Sequence, residues 1–142
     1  MKKIITKPQA FFLPLALLTL IVGLLNRDNY LLISSFYGSY MDVSVWSVSV
    51  SASIFFILIS VNYFSLTLTG KSPKKVLTIL HILFQVIALI PLFYFSITAD
   101  LERTDDQIVQ MNSILLFAFF VFLFASLLHI INFILSLISK KD

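Results

Sequence analysis

Cysteine is absent from the 142 residues, which excludes disulfides, thiolate metal sites and cysteine nucleophiles. Charge is scarce. Asp, Glu, Lys and Arg make up 12% of the chain, where a soluble domain averages roughly 25%, so there is too little to cover a water-facing surface. Glycine occurs only three times, which argues against a flexible soluble chain. There is no glycine-rich phosphate loop, no Gly-x-Ser-x-Gly elbow and no His-Glu-x-x-His pair. What remains is oily: 59% hydrophobic residues, fifteen Phe and a mean hydropathy of +1.01. The natural solvent of such a chain is lipid, and its length suits a single membrane domain over 1–142.

Four apolar runs stand out, at about 10–26, 46–69, 76–98 and 112–139. Each reaches or exceeds the ~17–25 residues that carry a helix across a hydrocarbon core. The expected fold is therefore an all-α bundle of four transmembrane helices with an external segment at 27–45. Run one is the shortest and contains Pro14; Lys2 and Lys3 before it also fit a signal peptide. The following "GLLNRDNY" lacks a small-x-small cleavage site, which favours a retained helix.

The charges sort by side. Lys2, Lys3, Lys7, Lys71, Lys74, Lys75, Lys140 and Lys141 fall on one side of a four-span chain, leaving only Arg27 and Arg103 of the ten basic residues for the other. Asp28, Asp42, Asp100, Glu102, Asp105 and Asp106 accompany those two arginines. Short loops rich in Lys and Arg stay cytoplasmic, so both termini are expected inside a bacterial-type inner membrane. The lysines are then topology signals without an aromatic platform, and no nucleic-acid partner is expected. "DLERTDD" lacks EF-hand spacing and reads as a solvated outer loop.

Segment 27–45 carries Tyr30, Tyr37 and Tyr40, suited to the headgroup level, and could be a loop or a turn leading into helix two. "VSVWSVSVSASIFF", Val43 to Phe56, alternates like a strand. A lone strand cannot cross lipid with its backbone unpaired, so the stretch is expected to be mostly helix. In a helix, Ser47 and Ser51 share one face and Ser49 and Ser53 nearly the opposite one. Small residues at four-residue spacing let membrane helices approach closely, which makes these serines a candidate packing seam. Simple tolerance of Ser near the headgroups is the alternative.

Asn62, His81, Gln85, His129 and Asn132 lie inside the apolar runs. At ~1.5 Å per residue, all five fall roughly 8–14 Å from the cytoplasmic ends. His81 and Gln85 share a face at i, i+4, and His129 and Asn132 at i, i+3. Helices two, three and four thus bring polar groups to one level. An interhelical hydrogen-bond layer accounts for them, each bond contributing about 0.6 kcal/mol. A proton relay, a metal site or a haem between His81 and His129 are the sharper readings. No Asp or Glu is expected within the membrane, which weakens an ion-coupled transporter.

Residues 62–93, "NYFSLTLTGKSPKKVLTILHILFQVIALIPLF", resemble the last helices of the catalytic subunit of haem–copper oxidases. The Thr-Gly loop, "TILHI" at 78–82, Pro91, the Asn112-Ser113 start and the Asn132-Phe133 stretch carry the likeness, which spans roughly 36–140. The resemblance implies the same helix orientation as the charges do. At the positions where that family has its haem-ligating histidines, this chain has Ser44, Val45 and Trp46, or Ser35, Phe36 and Tyr37 in a gapped alignment. His81 matches a family histidine that does not ligate haem. The resemblance thus implies a degenerate relative without cofactor or metal.

The expectation is a non-catalytic membrane subunit that assembles with, or stabilises, a larger membrane complex, and the resemblance implies a respiratory one. A small oligomeric transporter or channel component built around the polar layer is the alternative.

Overall fold

The computed structural model describes residues 7–36, 39–98 and 103–139. Lys2, Lys3, Lys140, Lys141, Asp100, Glu102, Tyr37 and Gly38 lie outside the described residues. The elements are α1 (Gln9–Leu25), β1 (Tyr30–Phe36), β2 (Ser39–Ser44), α2 (Val45–Leu68), α3 (Lys75–Ile97) and α4 (Asp105–Ile138). Helices α2, α3 and α4 are long and apolar enough to cross a membrane. Helix α1 has 17 residues and is shorter.

The bundle mixes polar with apolar side chains inside and is oily outside. Buried side chains include Thr19, Ser49, Ser60, Gln85 and Asn132, while Leu17, Ile57, Ile90, Phe117 and Phe120 are exposed. Water would reject that surface; hydrocarbon accepts it, and the interior then collects the groups that need partners.

Helices α1 and α2 form one close pair, and α3 and α4 another. In the first pair, the space of a missing side chain sets the distance. A Cβ built on Gly23 would lie 2.4 Å from the Ser49 Cβ, so only glycine permits this approach. Further along, Ser53 Oγ donates to the Ala16 carbonyl at 2.9 Å, and Ser60 Oγ to the Gln9 carbonyl at 3.3 Å.

The turn between α2 and α3 is closed by the backbone. Gly70, at φ 68°, takes the left-handed position after the helix end. Its N–H donates to the Thr67 carbonyl and that of Lys71 to the Leu66 carbonyl, so two terminal carbonyls are satisfied. The Lys71 ammonium also donates to the Leu137 carbonyl near the end of α4. The starts of α1 and α3 and the ends of α2 and α4 therefore share one end of the bundle, here called the lysine end.

At the opposite end, β1 and β2 pair antiparallel, with Phe36 opposite Ser39 and Tyr30 opposite Ser44. The register slips between Tyr30 and Leu32, leaving Leu31 as an extra residue. Its side chain is buried with Val45, Phe95, Met111 and Leu115. A bulge of this kind re-aims a side chain, and here it anchors the hairpin to the bundle. Segment 27–45 is thus neither a plain loop nor a helical lead-in. Val43 and Ser44 end β2, and the rest of the alternating stretch is helix, with Ser44 as its N-cap.

Helix α4 begins at Asp105, seven residues before the apolar run that marks it. Thr104 and Gln107 form a reciprocal capping box, and Asp105 and Asp106 occupy the first turn. Carboxylates are favoured there by the positive end of the helix dipole. Those two residues are therefore helical, not part of an outer loop. At the adjoining end of α3, the Arg103 guanidinium donates to the Thr98 carbonyl and hydroxyl and lies over the Phe95 ring.

Candidate functional site

Four of the five polar residues expected inside the membrane, Asn62, His81, His129 and Asn132, are joined by hydrogen bonds or ring contacts at the lysine end, and Gln85 is buried one turn along from His81. Asn62 sits near the end of α2, His81 and Gln85 on the first half of α3, and His129 and Asn132 on the last third of α4. His81, Gln85 and Asn132 are 0% exposed and His129 3%. Asn62 is half-buried.

Two further residues, Tyr63 and Thr78, complete the arrangement. The Tyr63 hydroxyl is 3.0 Å from His81 Nδ1. Asn132 donates its amide to Thr78 Oγ1 at 2.9 Å and to the Tyr63 oxygen at 3.4 Å. Its own oxygen accepts from the Lys74 backbone N–H at 2.9 Å. Asn62 and His129 meet through Nδ2 and Nε2 at 3.3 Å. Helix α1 adds Phe12, whose ring stacks on His81 with centroids 4.7 Å apart and on Tyr63 at 5.9 Å. The rings of His81 and His129 lie beside each other, centroids 5.0 Å apart. All four helices therefore meet in one polar knot.

Thr78 was legible in principle: Thr78, His81 and Gln85 lie at i, i+3 and i+7 on one face of α3. Tyr63 was not, because a tyrosine near a helix end fits headgroup anchoring equally well.

The knot does not suit a haem. Two imidazoles on opposite sides of one metal, each ~2 Å from it, place their ring centroids about 6 Å apart. The rings here are closer, with 5.0 Å between centroids. Among the described residues no group of three or more His, Cys, Asp or Glu is placed to hold a metal ion. The hydrogen bonds of the knot tie α2, α3 and α4 to one another.

The four serines divide between two faces of α2. Ser49 and Ser53 are buried on the α1 side. Ser47 and Ser51 are exposed and line a cleft between the outer halves of α2 and α4. This cleft has a volume of about 1190 Å³. Its walls include Ala52 and Phe55 from α2 and Ala118 and Phe122 from α4. Leu89 and Leu92 of α3 also line it, as do Leu31 and Val43 from the hairpin. Asp105, Asn112 and Ser113 line the part formed by the start of α4.

Comparison with protein-family models, with curated proteins and with solved structures gives no match to this chain.

Proposed function

We propose that this protein is a non-catalytic integral membrane subunit that assembles with a larger membrane complex and stabilises it. The observation that carries this reading is the cleft between α2 and α4. Small side chains, Ser47, Ser51, Ala52 and Ala118, lie on both of its walls. Such walls suit close approach of another helix, which in lipid associates through packing and not through hydrophobic expulsion from water. The occupant proposed is an apolar transmembrane helix of a partner subunit. The Asp105 carboxylate at the start of α4 suits a Lys or Arg at that end of it. The likeness of residues 36–140 to oxidase helices supports a respiratory complex as the partner. The lysine asymmetry supports an orientation with both termini in the cytoplasm.

The rival, a transporter working through the polar layer, would need a continuous aqueous path from the surface to His81, Gln85 and Asn132, all 0% exposed.

Purification of the full chain in mild detergent tests the reading. A fixed hetero-complex is expected; a homo-oligomer or a lone chain overturns it. Reporter fusions at Lys74 and at Asp105 test the orientation, with Lys74 expected to be cytoplasmic and Asp105 external.

A further inference from the structure

The polar knot has a direction, and one backbone group sets it. The Lys74 N–H can only donate, so the Asn132 atom that receives it at 2.9 Å is the amide oxygen. The amide nitrogen then supplies two N–H groups, one to Thr78 Oγ1 and one to the Tyr63 oxygen. Thr78 can accept because its own proton goes to the Lys74 carbonyl at 3.1 Å. Tyr63, accepting from Asn132, gives its single proton to His81 Nδ1 at 3.0 Å. A neutral imidazole has one donor and one acceptor nitrogen, so the His81 proton resides on Nε2. At His129, the Asn62 amide as oriented presents its nitrogen to Nε2, and with that orientation the proton is on Nδ1.

Both assigned protons point at nothing. His81 Nε2, His129 Nδ1 and both amide atoms of Gln85 are buried and, among the described residues, have no hydrogen-bond partner. Orphaned donors in a dry interior are costly. The two rings are adjacent, and Gln85 stands one helical turn beyond His81 on α3.

We infer that His81 Nε2–H, His129 Nδ1–H and the Gln85 amide form a binding site for an internal water molecule. Water accepts two hydrogen bonds, one from each ring, and donates to the Gln85 oxygen. That matches the ~3 polar partners usual for a buried water. A metal cation needs a ring lone pair, which His81 protonated on Nε2 does not offer on this side. The water joins the Tyr63–His81 chain to the His129–Asn62 pair, so the knot becomes one continuous network across three helices.

The chain has only two histidines, so ¹⁵N-histidine labelling of the full protein in nanodiscs reads each ring directly. Single substitutions, His81→Gln and His129→Gln, assign the signals. The expected result is protonated Nε2 in His81 and protonated Nδ1 in His129, each N–H showing a cross-peak to water. Tyr63→Phe removes the donor to His81 Nδ1 and should leave His81 a mixture of tautomers with His129 unchanged. A His81 proton on Nδ1, a His129 proton on Nε2, or ring N–H groups without contact to water overturns the inference. So does stoichiometric binding of added Co²⁺ by both rings.

Discussion

The two ends of the bundle are built on opposite principles. At the lysine end, all four helices meet through a sealed polar knot around Tyr63, His81 and Asn132. At the hairpin end, α2 and α4 part around an apolar cleft. The difference follows from the solvent. In lipid, apolar surfaces gain little by meeting each other, so helices are held where polar groups must find partners or where small residues allow close packing. The knot supplies the first condition, and the Gly23–Ser49 contact supplies the second for α1 and α2. Neither holds the outer halves of α2 and α4 together, and the proposed partner helix would enter there.

The strongest test of this contrast is Asn132→Leu. It removes the acceptor of Lys74 N–H and the donor to both Thr78 and Tyr63. Three interhelical bonds at about 0.6 kcal/mol each amount to ~2 kcal/mol, and more if the abandoned groups stay dry. Thermal unfolding in detergent should show a clear drop in midpoint. An unchanged midpoint would mean that the knot is incidental to stability.

Gly23→Ala is next. The added methyl meets the Ser49 Cβ, a part of the side chain that no rotamer can move aside. Overpacking of this kind costs about 1–3 kcal/mol. The loss should show as easier separation of α1 from α2, measured by the rate of disulfide formation or proteolysis at engineered sites. Protection equal to the parent would place the close approach elsewhere.

Ser51→Leu should have the smallest effect on the isolated chain, below roughly 0.5 kcal/mol, because Ser51 is exposed in the cleft. Its effect should appear on assembly, as reduced recovery of the partner in detergent. A large loss of stability in the isolated chain, or undiminished recovery of the partner, would break the assignment of the cleft as the docking face.

The seams show how local periodicity and tertiary context divide the work. Four-residue spacing assigns Ser47 and Ser51 to one face of α2 and Ser49 and Ser53 to nearly the opposite face. Spacing says nothing of what each face meets. Gly23 makes one face a contact with α1, and the divergence of α4 leaves the other open. The start of α4 is a case of a signal passed over. Hydropathy marks where lipid begins, whereas Thr104 and Gln107 mark where the helix begins.

Composition and run length alone determined that this chain has several apolar helices suited to a bilayer, because too few charges exist to face water. They also determined that polar side chains on α2, α3 and α4 stand at one depth, since helical rise is constant. Only the tertiary structure decided that these groups form one directed network with Tyr63 and Thr78. It also decided that Tyr30–Phe36 and Ser39–Ser44 pair antiparallel, because two strands are marginal by themselves and need Leu31 anchored beside Phe95 and Met111. The physical reason is the same in both cases. Hydropathy is a property of each residue, but a hydrogen bond or a packed contact exists only once a distant part of the chain has arrived.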